Sequence, residues 1–145
     1  MRTTLMLATL AVAVLAGCES QSDADTRTIP LPDRTLHSET LDTVVWTDST
    51  AMLARGKEVF GWACAKCHGP TGQGDGGEVT VNGDTLRPPS FHTADWRFAK
   101  DPHALAVQIY QGNEKGMPHW GADGIQPRDV IAIAAYIEKD LRAGQ

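Results

Sequence analysis

Residues 60–72 read Phe60-Gly61-Trp62-Ala63-Cys64-Ala65-Lys66-Cys67-His68-Gly69-Pro70-Thr71-Gly72, and the five residues from Cys64 to His68 decide how the rest is read. Two thiols three residues apart stand about one helical turn from each other, with a histidine directly after the second. That spacing lets both sulfurs add to the vinyl groups of one haem while the adjacent imidazole faces its iron, and C-x-x-C-H is the attachment sequence for c-type haem. A C-x-x-C pair can also be a thioredoxin-like redox couple or half of a zinc site. The first needs a neighbouring βαβ pattern and the second needs further Cys or His at ligand spacing, and neither pattern is present.

Upstream of the pentapeptide, Leu53, Gly56 and Phe60 fall on one face of a helix over 48–63, with Asp48 or Ser49 as its cap. Downstream, Gly72, Gly74, Gly76 and Gly77 match G-x-G-x-x-G, but no strand precedes them and no apolar helix follows. They read as a loop whose glycines let the backbone turn tightly beside a flat group. A second helix is announced by Asp101 and Pro102, carries Leu105, Ile109 and Tyr110 on its buried side, and ends at Gly112. A third begins at Pro127 and repeats Val130, Ile133, Ala134, Ile137 and Leu141 at helical spacing.

A histidine-ligated iron takes a sixth ligand. Outside the leader described below the chain has two methionines, Met52 and Met117. Met52 lies on the first helix among packing positions. Met117 stands in Gly116-Met117-Pro118, where glycine permits and proline fixes an extended loop that presents the thioether. His119, two residues on, is its rival; His37, His92 and His103 read as surface residues.

Composition bounds the remainder. The 145 residues make room for one domain, and fourteen glycines and eight prolines mark it as loop-rich. Three cysteines cannot all pair, so a disulfide scaffold is excluded. A formal charge of -5 without a Lys/Arg run excludes nucleic acid as a partner. The apolar run 5–15 behind Arg2 is too short for the roughly 20 residues of a membrane span but fits an export signal. It ends in Leu15-Ala16-Gly17-Cys18, which resembles the lipobox of bacterial lipoproteins. The resemblance implies cleavage after residue 17, lipid on Cys18, and a place on the periplasmic side of a bacterial envelope membrane. Residues 18–48 carry seven acids against Arg27 and Arg34, are rich in Ser, Thr, Asp and Pro, and read as a flexible acidic tether. The alternative is that Leu36 to Trp46, with its apolar end Val44-Val45-Trp46, packs onto the domain as an extra strand or turn.

Residues 49–145 resemble class I cytochrome c, a family of small mono-haem electron carriers. The resemblance extends to Gly56 and Phe60, eight and four residues before Cys64, and to Tyr136. It implies an all-α, loop-rich cytochrome c fold in which the N- and C-terminal helices cross and enclose one covalent haem c. It further implies haem bound by Cys64 and Cys67, iron held by His68 and Met117, and the Pro89 carbonyl accepting the Nδ1 proton of His68, with Pro88 as the other acceptor. Phe91 then packs against the haem, and Trp96 or Arg87 meets a propionate. Such a protein is not an enzyme: it passes single electrons between a donor and an acceptor redox protein of a respiratory chain, as a shuttle or as a fixed subunit of a larger complex. A displaceable sixth ligand would instead make it a haem enzyme or gas sensor. The near-neutral domain lacks a lysine ring, so docking is expected to be apolar and weakly salt-dependent.

Overall fold

The computed structural model describes residues 37–99 and 101–143; the expected signal sequence, the expected lipid site Cys18 and the expected tether up to residue 36 lie outside them. The described residues form an all-α, loop-rich fold. Helix α1 (Ser49–Val59) starts where Asp48 accepts hydrogen bonds from Thr50 N and Ala51 N at 2.8 and 3.0 Å. It runs into a wide π-type turn (Phe60–Cys64), closed by Ala65 N donating to Phe60 O five residues back, and continues as α2 (Ala65–His68). Helix α3 (Pro102–Gln111) is capped by Asp101, which accepts from Ala104 N, and stops at Gly112. Helix α4 (Pro127–Tyr136) passes into a second π-type turn, Ile137–Leu141. Among the described residues the extended chain pairs only as an isolated bridge, Val79 with Thr85, and no helix is long and apolar enough to cross a membrane.

The core forms where α1 meets α4. Val59, Phe60, Val130 and Ile133 are the largest side chains lost entirely from solvent there, and each contributes roughly 1.5–3 kcal/mol by leaving water. The close approach depends on Gly56: a Cβ at that position would stand 2.1 Å from the Ala132 carbonyl oxygen and 2.8 Å from Tyr136 Cβ. Tyr136 tilts onto Phe60 with ring centroids 5.6 Å apart. At the edge of the same contact Arg55 reaches Asp129 through two hydrogen bonds, Nε to Oδ1 at 2.9 Å and Nη2 to Oδ2 at 2.7 Å. Helix α3 also packs against α4 and supplies Leu105, Ala106, Ile109 and Tyr110 to the core.

Residues 37–48, expected as the end of the tether, are packed on the domain instead. A 3₁₀ segment, Ser38–Thr43, lies on α3 and α4 and buries Leu41 to 2% exposure. Asp42 faces His103 at 2.8 Å, and the Trp46 ring lies 3.9 Å beneath the Arg128 guanidinium while its Nε1 donates to Arg128 O. One buried leucine and one stacked tryptophan are enough to anchor a polar strap whose composition reads as disordered.

Candidate functional site

The motif residues converge on one crevice of about 340 Å³. Cys64, Cys67 and His68 line it, and so do Pro89, Phe91 and Met117 from distant segments, with Phe60, Leu105, Ile109 and Ile133 among its apolar walls. The π-type turn between α1 and α2 carries the chain from the helix crossing directly into the pentapeptide, so Phe60 serves the core and Cys64 the crevice. Such turns within α-helices are frequent at functional sites.

Beyond His68 the backbone reverses through Gly69, Gly72, Gly74 and Gly77, all at φ between 77 and 80°. Two close approaches require glycine here. A Cβ on Gly72 would lie 2.5 Å from the Phe91 ring, and one on Gly74 would lie 2.1 Å from the Pro88 carbonyl oxygen. The loop is bonded to the motif as well, with Gly74 N donating to His68 O at 2.8 Å and Gly76 N to Cys67 O at 3.2 Å.

Both thiols are free. Burial pushes the Cys64 thiol up to about 12, with Cys67 adding to the effect, and burial raises Cys67 too, reinforced by Glu78 and opposed by Lys66. Neither is a ready thiolate, which weighs against a redox or nucleophilic pair. Among the described residues no three His, Cys, Asp or Glu side chains stand together to hold a metal ion unaided, so the zinc alternative finds no completing ligands. Burial also pulls His68 down to about 4, leaving a neutral imidazole. Among the described residues its Nδ1 is enclosed with no hydrogen-bond partner, so the expected bond to a proline carbonyl is not seen there. Residues 88–89 pack on the glycine loop, and Phe91 is what meets the imidazole, stacked at a centroid distance of 4.7 Å and 27°.

Met117 is half-buried on the crevice wall. Its loop is set by Asn113, a residue with no mark in the sequence reading: Oδ1 accepts from Lys115 N at 2.9 Å and Met117 N at 3.3 Å, and Asn113 N donates to Met117 O at 3.0 Å. An asparagine four residues before a candidate ligand is an Asx-turn signal that could have been read. His119 is exposed and lines no part of the crevice; His37, His92 and His103 are engaged with Glu39, Thr71 O and Asp42. Trp96 lines the crevice but its Nε1 donates to Glu138 at 2.8 Å, so it has no proton left for a propionate; Arg87 is an exposed residue of the lining. Trp62 is 59% exposed, whereas Trp120 packs against the core.

These residues fit a flat apolar macrocycle with a central metal. The crevice is apolar, two uncharged thiols and a neutral imidazole with an unsatisfied nitrogen line it, and a thioether lines it from a separate loop. The comparison with known families agrees: the family described as cytochrome c oxidase, cbb3-type, subunit III matches residues 30–137. The chain belongs to that family. Among curated members, the cbb3-type cytochrome c oxidase subunit CcoP of Azospirillum sp. (strain B510) is 28% identical over 59% of this chain and 27% of its own length. The corresponding subunit of Azospirillum brasilense is 30% identical over 63% of this chain and 29% of its own. The chain thus spans under a third of the length of the curated relatives it matches. A solved structure, the reducing HAO-like protein complex of Kuenenia stuttgartiensis, shares the fold with a TM-score of 0.52 at 22% identity, over 63% of this chain and 44% of that one.

Proposed function

We propose that this chain is a one-electron carrier holding a single haem c, attached through Cys64 and Cys67 and ligated by His68 and Met117. The observation that carries the reading is the crevice itself, where both thiols, the buried imidazole and the thioether of a separate loop line one apolar cavity. When bound, the haem supplies an iron that gains and loses one electron. The residues of the chain do the rest. His68 is kept neutral by burial and so remains a ligand at ordinary pH. Asn113 holds the backbone of Met117, and Phe60, Ile109 and Ile133 exclude water from the cavity. Thioether ligation in an apolar setting favours the ferrous state and a high potential. With His68 and Met117 both holding the iron, the chain would be an electron-transfer component and not a catalyst.

Its setting is the bacterial envelope, anchored by lipid on Cys18 on the periplasmic side, as part of a respiratory oxidase-like complex. The lipobox-like Leu15-Ala16-Gly17-Cys18, the oxidase subunit family and the names of the Azospirillum relatives support this. The test is the visible spectrum of purified holoprotein, oxidised and reduced, with and without CO. A reduced spectrum unchanged by CO and a weak methionine-to-iron band when oxidised are expected. A prompt CO shift would overturn the closed carrier in favour of a haem enzyme or gas sensor.

A further inference from the structure

The loop that carries Met117 leaves helix α3 at Gly112 and returns to it at Gly121, whose N–H donates to Tyr110 O at 2.9 Å. The joint at Gly112 is tight. Its N–H closes the helix on Gln108 O at 2.8 Å, and the chain turns there at φ 67°. A Cβ on Gly112 would stand 2.6 Å from the Met117 carbonyl oxygen and closer still to that of Pro118. The Met117 and Pro118 peptides therefore rest directly on the backbone of residue 112, and the plane in which that residue is held sets where they lie.

What holds it is a side chain one helical turn back. Gln108 Nε2 donates to Gly112 O at 2.7 Å. That partner decides which way the amide is turned, because the amide oxygen would repel a carbonyl at this distance. Gln108 is half-buried and lines the crevice together with Leu105 and Ile109 of the same helix. An amide in an apolar wall is costly to desolvate unless it is hydrogen-bonded, and a leucine would fill the position without that cost. A leucine would not, however, hold the Gly112 carbonyl. Asn113 ties the loop to itself, through the N–H and the carbonyl of Met117. Gln108 ties it to the helix.

We propose that Gln108 is a positioning residue for Met117, fixing the Gly112 peptide on which the Met117–Pro118 backbone rests and so keeping the thioether at the crevice wall. The inference rests on the haem ligation proposed above.

The experiment uses holoprotein at neutral pH, with Gln108→Leu, Gln108→Glu, Gln111→Leu and Asp129→Asn. The pyridine haemochrome spectrum of denatured wild type and the methionine-to-iron band of ferric wild type come first. A wild type lacking either would overturn the ligation reading, and this inference with it, before any variant is compared. Imidazole, which reaches the iron only when the thioether leaves, is then titrated into each ferric protein, and the midpoint potential is measured beside urea denaturation. Gln108→Leu should bind imidazole roughly three- to tenfold more tightly, as for one lost hydrogen bond, with a weaker methionine band and a lower potential. Gln108→Glu should do the same, since an ionised carboxylate of that shape has no hydrogen to donate. Gln111, exposed on the same helix, reaches only Ser38 Oγ at 3.4 Å, so Gln111→Leu should bind imidazole as the wild type does. Asp129→Asn removes the pairing with Arg55 and should lose stability without a change in imidazole affinity. Variants at position 108 that lose stability in the same way, yet keep wild-type imidazole affinity, band and potential, would overturn the positioning role. Should Gln108→Leu fail to fold, Gln108→Glu decides the same question.

Discussion

Gly56→Ala tests the helix crossing on which the crevice is built. The added Cβ would stand 2.1 Å from the Ala132 carbonyl oxygen and 2.6 Å from its carbon, against 3.4–4 Å for ordinary contact. Both obstructing atoms are backbone, so no side chain can swing aside and α1 and α4 must part by on the order of 1 Å. A gap of roughly 0.5–1 Å forfeits a quarter to a half of the dispersion attraction across a contact. The layer affected contains Val59, Phe60, Val130 and Ile133, all fully buried. Overpacking costs about 1–3 kcal/mol, and the backbone obstruction puts this case at the upper end. Alanine returns roughly 1 kcal/mol over glycine within a helix. The net expectation is a loss of about 2 kcal/mol, equivalent to a fall of roughly 10 °C in Tm for a domain of this size. Urea denaturation of holoprotein, followed by far-UV circular dichroism, measures it. Gly61→Ala is the control, because nothing lies within 4 Å of a Cβ there. Equal stability of Gly56→Ala and wild type would refute the close crossing.

Two further perturbations address the strap and the ion pair that spans the crossing. Leu41→Ala should cost about 2–5 kcal/mol, as for other buried leucines, while Val45→Ala, at a position 72% exposed, should stay within roughly 0.5 kcal/mol of wild type; equal effects in denaturant would return residues 37–48 to the tether. Asp129 is held below the ordinary aspartate value by its hydrogen bonds to Arg55, so its stabilising contribution is complete above that value, about pH 4, and is lost as pH falls through the lowered one. The stability gap between wild type and Asp129→Asn should therefore narrow on acidification below about pH 4, and parallel pH profiles would contradict the pairing.

The features legible in the sequence were those written locally. Asp48 and Asp101 are side-chain caps, Pro127 opens α4, Gly112 ends α3, and the C-x-x-C-H spacing brings two thiols and an imidazole to one wall. What stayed hidden was non-local or a matter of backbone phase. Arg55 and Asp129 are 74 residues apart, and nothing in either neighbourhood announces the other. The strap rests on Leu41 and Trp46 at the apolar end of an otherwise polar stretch, so its packing was readable only as the alternative to a tether. The stacking of Phe91 on His68 was not readable either, because it depends on residues 88–89 lying against the glycine loop. Trp96 looked free for a propionate because its partner, Glu138, lies 42 residues away.

The π-type turn at Phe60–Cys64 makes the helix through it a phase shifter. One residue more than α-helical pairing needs is spent between Phe60 and Ala65, and each residue advances a helix by about 100°. Had the same residues formed a regular α-helix, Cys64 instead of Ala65 would pair with Phe60, and every downstream face would be turned by about that angle. With Phe60 kept in the crossing, Cys67 and His68 would then rotate off the crevice wall. The widened turn is as much a part of the site as the residues that follow it.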